Sequence, residues 1–267
     1  MLLTIKNIFK LQKNNYRKFN KYIIVEGYLE IKMALIGKFK LIKILICKNI
    51  FFKKNKKINF KYNNNNIFYI NIKQYKKLTY RKKTEGILGI FYKKKINYKK
   101  KFKKYINNKN NKIILIIDNI EKPGNIGSII RTIEATKIIN FIIIINKKEI
   151  YNPNIIRSSL GCVFLSKILI LKFNYIKKNI FLNKNFIIIG TSIYKKNNIC
   201  LYKINFNKFK KNICIILGNE HNGISKNINN YINFNINIPM YGKINSLNVS
   251  NSFAIIIYEL LRNKKFI

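Results

Sequence analysis

The chain has 267 residues, enough for one large domain or two modest ones with a buried core. Hydrophobic residues make up 48% of it, which argues against intrinsic disorder. Lys and Arg total 54 against 9 Asp and Glu, a formal charge of +45, and such a surface attracts a phosphate backbone. The chain is written largely in Lys, Asn and Ile, the residues of A/T-rich codons, so base composition explains part of this charge.

Other sequence features exclude several classes of protein. The longest apolar run, residues 138–145, is broken by Asn140 and is too short to span a bilayer. The N-terminus lacks the extended apolar region of a signal peptide. The four cysteines have no CxxC spacing, so neither a disulfide framework nor a zinc site is indicated. We therefore expect a soluble, cytoplasmic protein with no membrane partner and no metal.

The first part of the chain, residues 1–92, predicts a small α/β domain. A strand over 22–25 precedes a helix that starts near Glu26 and ends at Gly37, and a second strand follows over 41–46. Residues 93–112 are mostly Lys, Asn and Tyr, with few apolar positions at any regular period. This stretch predicts a flexible basic linker that can also contact RNA phosphates.

From residue 113 to residue 267 the pattern is regular. Short, Ile-rich apolar runs alternate with helical stretches such as 126–137 and 248–262. Unalternating apolar runs of this length indicate strands buried on both faces of a parallel sheet. The pattern predicts a doubly wound α/β domain with strands at 113–117, 141–145, 168–171, 186–189 and 213–217.

Three polar stretches each follow or abut an apolar run. They are residues 119–132 (NIEKPGNIGSIIRT), 217–225 (LGNEHNGIS) and 238–250 (IPMYGKINSLNVS). One such stretch alone would indicate an ordinary turn. Together and in this order they resemble the three motifs of SpoU-type (TrmH-like) RNA ribose 2′-O-methyltransferases, and the resemblance runs nearly continuously from Ile113 to Leu261.

The resemblance implies an enzyme that uses S-adenosyl-L-methionine, with a trefoil knot in the C-terminal part of its α/β domain. It also implies a homodimer in which the pocket is completed across the interface. Periodicity by itself predicts an unknotted topology. The string around Glu26-Gly27 resembles the small substrate-binding domain that precedes the catalytic domain in ribosomal-RNA members of the family.

The first motif supplies two candidate catalytic residues, Asn125 and Arg131. The segment Pro123–Gly127 predicts a sharp turn before a helix, with Asn125 at the N-cap. Arg131, judged from its position alone, is a surface residue in an ion pair. The resemblance implies that Asn125 orients Arg131 and the ribose, and that Arg131 contacts the RNA phosphate and helps to deprotonate the 2′-hydroxyl. Because arginine is a very poor base, a positioning and charge-stabilising role is easier to defend.

The second and third motifs supply the remaining candidates. By resemblance, the backbone of Gly218 contacts the cofactor and Glu220 braces the loops, although Glu220 could simply cap a helix near Gly223. Ile238, Met240 and Leu247 are implied as an apolar wall around the adenine.

Ser246 and Asn248 have the residue types of helix caps, and the family assigns them to substrate and cofactor positioning. His221, the single histidine, lies where the family motif has no fixed residue type, so we expect it to be a bystander. No GxGxxG follows the first strand of either half, which disfavours a Rossmann-type methyltransferase.

The sequence thus predicts S-adenosyl-L-methionine-dependent methylation of a ribose 2′-hydroxyl in structured RNA, with 23S ribosomal RNA favoured. Transfer RNA is an alternative substrate. A non-catalytic RNA-binding ribosome-assembly factor is an alternative from another class, and the intact candidate residues argue against it.

Overall fold

The computed structural model describes residues 5–11, 13–51, 66–80, 84–94, 98–107, 112–145, 149–191 and 198–265. The chain divides into two compact units. The first unit comprises Met1–Ile96 and Glu149–Leu165, and the second comprises Asn97–Lys148 and Ser166–Ile267.

The first unit contains a four-stranded sheet with helices around it. Its helices and strands are α1 (Ile5–Lys10), α2 (Asn14–Phe19), β1 (Tyr22–Glu26), α3 (Tyr28–Ile36), β2 (Leu41–Ile46), α4 (Lys48–Phe51), β3 (Ile67–Tyr69), α5 (Ile72–Leu78), β4 (Ile87–Tyr92) and α8 (Pro153–Ser158). The strand order is β1-β4-β2-β3, with β4 antiparallel to both neighbours and β2 parallel to β3. The predicted small α/β domain is confirmed, since strand, helix and strand all lie where the pattern placed them.

Residues 149–165 pack in the first unit, whereas the sequence pattern placed them in the domain that begins at residue 113. Phe39 explains the difference, because its ring contacts Tyr151 and Phe164 at centroid distances of 5.7 and 4.9 Å. The buried Arg17 also pairs with Glu149 at 3.3 Å. Contacts between residues this far apart leave no trace in local periodicity.

The second unit is built on a parallel sheet. Its helices and strands are α6 (Lys99–Ile106), β5 (Ile113–Ile117), α7 (Pro123–Thr136), β6 (Phe141–Ile145), β7 (Ile168–Leu171), α9 (Phe173–Ile176), β8 (Phe186–Thr191), β9 (Asn198–Cys200), β10 (Asn212–Leu217), α10 (Lys226–Asn229), β11 (Phe234–Asn237) and α11 (Val249–Lys265). The strand order is β7-β6-β5-β10-β8-β11-β9, and every adjacent pair is parallel. Helices α7 and α11 pack against each other. The predicted parallel α/β fold and all five predicted strands are confirmed.

The range 93–112 is not a flexible linker throughout. Residues Lys99–Ile106 form α6, and its Phe102 and Ile106 are buried in the core of the second unit. Spaced four apart, these two residues lie on one face of the helix, while Lys101, Lys103 and Lys104 are exposed. Two buried apolar residues among many lysines are too few to give a recognisable helical period in the sequence. Residues 95–97 and 108–111 of this range lie outside the described residues.

None of the helices in the described part of the chain combines the length and apolar composition that a membrane span requires.

Candidate active site

Four neighbouring strands of the parallel sheet end in one row. Ile117 of β5 pairs with Leu217 of β10, and the register continues through Thr191 of β8 to Ile236 of β11. An open cavity of about 560 Å³ begins at this row. The carboxyl edge of an open parallel sheet is the usual place for a ligand, so the fold itself positions the site.

The loop after β10 closes tightly on itself. Asn219 and Gly223 exchange two main-chain hydrogen bonds of 2.8 and 3.0 Å, and the Asn219 Oδ1 accepts from the N–H groups of His221 and Asn222. A Cβ on Gly218 would lie 2.3 Å from the carbonyl carbon of Gly223, and Gly223 itself has φ +64°. Glycine at 218 is therefore required by the loop's own backbone, independently of any ligand.

Asn125 joins the three motifs through its side-chain amide. Its Nδ2 donates to Glu220 Oε1 at 2.7 Å, and its Oδ1 accepts from Asn248 Nδ2 at 3.1 Å. Asn125 is only 8% exposed. We call this chain of hydrogen bonds the Glu220–Asn125–Asn248 relay; it links the loop after β10, the start of α7 and the start of α11.

The expectation that Asn125 is the N-cap of a following helix is wrong. Helix α7 begins at Pro123, with Lys122 as its N-cap, so the segment Pro123–Gly127 is the first helical turn rather than a turn before it. Proline suits the first helical position because its missing N–H has no intrahelical partner there. The side-chain amide of Asn125 consequently bonds residues of the other two motifs and does not cap the N-terminus of its own helix.

The second motif contributes Glu220, which does not cap a helix near Gly223. Its Oε2 accepts from the main-chain N–H of Glu121 at 3.2 Å, and its Oε1 from Asn125. Burial raises the pKa of the Glu220 carboxyl, but the hydrogen bonds from the Asn125 amide and from main-chain N–H groups outweigh burial and lower the pKa below its usual value. Glu220 is thus held as an ionised brace between two loops.

The third motif contributes Asn248 as the cap of α11. Its Oδ1 accepts from both the N–H and the hydroxyl of Ser250, at 2.9 and 2.7 Å. Asn248 is therefore both a helix cap and a member of the relay. Ser246 lines the cavity but is exposed and makes no cap bond in the described part of the chain.

Most of the candidates share the cavity. Its lining includes the relay residues, Gly218, Ser246 and the three predicted apolar residues Ile238, Met240 and Leu247. His221 also lines the cavity, and its side chain is exposed. Sequence reasoning missed the apolar lining from Ile236, Val249 and Ile256, as well as Thr191, whose hydroxyl donates to the Ile216 carbonyl at 3.0 Å. The position of Thr191 at the end of a strand was the available signal.

Asp118 is a further residue that the sequence did not single out. It follows β5 directly, is 1% exposed, and accepts from the Ser225 N–H at 2.7 Å and from the Asn119 amide at 2.9 Å. It therefore ties the far end of the loop after β10 to the end of the neighbouring strand.

Arg131 lies apart from the cavity. It is exposed, and its side chain makes no hydrogen bond or ion pair with the residues that the structure describes, so the expected surface ion pair is absent there. Arg131 follows Asn125 by six positions on α7, which places it about 9 Å further along the axis and about a third of a turn away in direction. The chain alone does not bring Arg131 and the relay together.

No group of three His, Cys, Asp or Glu side chains in the described ranges could hold a metal ion.

Comparison with known proteins gives two family matches. Residues 112–258 match the family described as SpoU rRNA Methylase, and residues 3–89 match the MRM3-like substrate binding domain. An uncharacterized tRNA/rRNA methyltransferase of Borreliella burgdorferi is 39% identical over 157 residues, covering 58% of this chain. The chain spans 65% of that relative's length.

Two solved structures extend the similarity over nearly the whole chain. The SpoU methyltransferase AviRb from Streptomyces viridochromogenes, in complex with AdoMet, has a TM-score of 0.77 at 18% identity and covers 99% of this chain and 98% of its own. An AdoMet-bound rRNA methyltransferase from Sinorhizobium meliloti has a TM-score of 0.76 at 20% identity, covering 97% and 94%. At these identities the likeness concerns the fold. With its family match extending over more than half of its length, the chain belongs to the SpoU rRNA methylase family.

Proposed function

We propose that this protein methylates a ribose 2′-hydroxyl of RNA with S-adenosyl-L-methionine as the methyl donor, and that its target is 23S ribosomal RNA. The observation that carries the proposal is the Glu220–Asn125–Asn248 relay. It joins all three family motifs at one cavity, and each of its hydrogen bonds is made within the chain. The relay thereby holds residues of all three motifs around one cavity, where they can act together on one ligand.

The cavity suits the proposed cofactor in size and lining. Its volume of about 560 Å³ lies within the usual range for small-molecule sites. Ile238, Met240 and Leu247 would enclose the adenine, and main-chain groups around Gly218 would contact the polar parts. S-adenosyl-L-methionine supplies an electrophilic methyl group on a sulfonium when it is bound.

The residues of the relay would fix the shape of the site. Because the relay fastens one loop and two helix starts, the cavity needs little rearrangement to bind the cofactor. A preorganised site lowers the barrier to an in-line transfer. A carboxylate with a lowered pKa and occupied lone pairs is a weak base. Glu220 is therefore a positioning residue in this proposal, not the proton acceptor.

Arg131 would act on the RNA from a second copy of the chain. Its exposed guanidinium has no partner in the described residues and lies outside its own chain's cavity. The family resemblance, with its homodimer and completed pocket, supports a site to which one copy gives the cavity and the other gives Arg131. There the planar guanidinium would hold phosphate and ribose oxygens together and stabilise charge on the 2′-oxygen. On the same family resemblance, we propose that the C-terminal part of the second unit forms a trefoil knot.

The first unit supports a ribosomal target over transfer RNA. Its match to a substrate binding domain covers residues 3–89, which is most of the segment ahead of the methylase match at residue 112. A separate domain for gripping RNA suits a large structured substrate.

Mapping of ribose methylation tests the proposal. Ribosomal and transfer RNA from cells with and without this protein are compared, and the purified chain is then given the unmethylated RNA with S-adenosyl-L-methionine. We expect one 23S position to lose methylation without the protein and to regain it in vitro. RNA binding with no methyl transfer to either RNA would contradict the enzyme and favour an assembly factor. Transfer confined to transfer RNA would contradict the target alone.

A further inference from the structure

The edge strand of the first unit exposes two adjacent aromatic side chains. Phe68 is 40% exposed and Tyr69 is 55% exposed, and both lie on β3. Among the described residues no strand lies beyond β3 in the order β1-β4-β2-β3. Since consecutive strand residues point to opposite faces of a sheet, the two rings flank the edge on its two sides.

Each of these rings is accompanied by a lysine. The Nζ of Lys43 lies 4.3 Å from the centre of the Phe68 ring, and the Nζ of Lys48 lies 4.2 Å from the centre of the Tyr69 ring. Helix α5 begins three residues after Tyr69 and adds Lys73 and Lys76, both exposed. These two are spaced i, i+3 and therefore lie on one side of the helix.

The surrounding sequence contains no acidic residue. Between Glu30 and Glu85, residues 31–84 hold fifteen lysines and one arginine but neither Asp nor Glu. Base composition raises the Lys, Phe and Tyr content of the whole chain, so the distinguishing feature is the geometry, in which each exposed ring has a lysine ammonium within 4.3 Å of its centre. We call Phe68, Tyr69, Lys43 and Lys48 at this sheet edge, with Lys73 and Lys76 on the helix that follows, the β3–α5 patch.

We infer that the β3–α5 patch binds an unpaired segment of the substrate RNA. Bases stack on the Phe68 and Tyr69 rings, and the lysines beside them contact the flanking phosphates. An unpaired segment is required because bases inside an A-form helix do not present their faces to side chains. The inference rests on the proposed RNA substrate and specifies which surface of the first unit grips it.

Electrostatics favours RNA over a second copy of the chain as the occupant. Two copies meeting through this patch would bring their lysines together with no acidic residue from 31–84 to offset them, and facing like charges oppose association. RNA offers the opposite charge and stackable bases in one molecule.

The test measures binding of the 267-residue chain to a short unstructured RNA and to a duplex of equal length. Binding affinity is measured by fluorescence anisotropy in the absence of S-adenosyl-L-methionine, so that methyl transfer does not occur during the measurement. Stacking on one aromatic ring contributes about 1–3 kcal/mol per base, so Tyr69→Ala or Phe68→Ala should weaken single-strand binding by about 5- to 150-fold. Tyr69→Phe keeps the ring and should bind like the wild type.

Matched controls separate this patch from general surface effects. Tyr202, 57% exposed and in the second unit, gives Tyr202→Ala as a control that should leave affinity unchanged. Lys43→Gln and Lys73→Gln should each reduce the slope of log affinity against log salt by about 0.7. In the aromatic variants, the affinity for the duplex should change less than the affinity for the single strand.

Several results would overturn the inference. One is a Phe68→Ala/Tyr69→Ala variant that melts like the wild type and binds single strands within twofold of it. Another is an equal loss from Tyr202→Ala, and a third is a change in oligomeric state instead of RNA affinity. If the double variant does not fold, Tyr69→Ala combined with Lys73→Gln probes the same surface. A wild-type chain that binds RNA but transfers no methyl group would count against the proposed function. The binding comparisons between variants would still test the patch, because they do not depend on methyl transfer.

Discussion

Two positions on helix α7, Asn125 and Arg131, have opposite environments. Asn125 lies in the first turn, is 8% exposed, and uses its amide nitrogen and oxygen to bond Glu220 and Asn248. Arg131 lies in the middle of the helix, exposed and without a partner in the described residues. The same helix thus carries a buried amide whose hydrogen bonds are made within the chain and an exposed guanidinium with no side-chain partner in the described residues.

This difference separates assembly of the site from its chemistry. The relay is complete within one chain because a buried amide left unbonded would destabilise the fold. A solvated guanidinium carries no such penalty, so it can remain free until RNA or a second copy supplies oxygens for it. Substitutions at Asn125 and its contacts should therefore change stability and cofactor binding, whereas substitutions at Arg131 should change rate alone.

The largest effect is expected from Arg131→Lys. Lysine keeps the charge but loses the planar fork, so the single-turnover methylation rate at saturating RNA should fall by about 100- to 1,000-fold. Cofactor affinity and the melting temperature should stay close to wild type. The matched control is Arg262→Lys, because Arg262 is exposed and pairs with Glu259 on α11. A normal rate in Arg131→Lys would remove this residue from the mechanism.

Asn125→Ala should act in the opposite way. It removes two hydrogen bonds and leaves the Asn248 amide and one Glu220 oxygen without their partner, so the free energy of unfolding should fall by about 2–3 kcal/mol. Calorimetry should also show weaker S-adenosyl-L-methionine binding because the loops are no longer fastened. Ser128→Ala, one helical turn along α7, is the control. Unchanged stability together with a lost rate would place Asn125 in the chemistry and erase the contrast with Arg131.

Two glycines, Gly218 in the loop after β10 and Gly124 in the first turn of α7, should respond differently to substitution by alanine. A Cβ at Gly218 meets the Gly223 backbone at 2.3 Å, whereas a Cβ at Gly124 meets nothing within 4 Å. Gly218→Ala should therefore lower unfolding free energy by about 1–3 kcal/mol and weaken cofactor binding. Gly124→Ala should leave stability unchanged or raise it by up to about 1 kcal/mol. Equal effects of the two substitutions in denaturant titrations would contradict the tight loop.

The smallest effect concerns acid stability. The folded-state pKa of Glu220 is lowered, so its contribution is fully present above the unfolded-state pKa and disappears as pH falls through the folded value. Glu220→Gln should consequently lose stability relative to wild type near pH 7, and the two proteins should converge in strong acid. Unfolding midpoints between neutral and strongly acidic pH measure this difference. Parallel curves at every pH would show that the charge of Glu220 does not contribute.

The sequence predicted five of the seven strands that the structure describes in the second unit, because Ile-rich runs buried on both faces are a local signal. It missed β9 and β11, which are short and contain Asn. Through the family resemblance of their motifs it also identified residues that line the cavity, although the predicted Arg131 lies outside it. It could not predict that Asn125 lies inside α7, because a Pro-Gly-Asn string suits a turn and a first helical turn equally well. The buried face of α6 escaped for a related reason, since Phe102 and Ile106 are two apolar residues among many lysines. The membership of residues 149–165 in the first unit depends on distant contacts alone.

Heterodimers of two impaired variants, assayed at a cofactor concentration too low to saturate Asn125→Ala, test the central claim most directly. Asn125→Ala and Arg131→Lys chains carrying different tags are co-expressed, and the mixed dimer is isolated by both tags. If one copy supplies the cavity and the other supplies Arg131, one of the two sites contains both wild-type residues, and methylation should return to about half of the wild-type rate. Activity no higher than the mean of the two separate variants would contradict the claim, as would a chain that methylates RNA as a monomer.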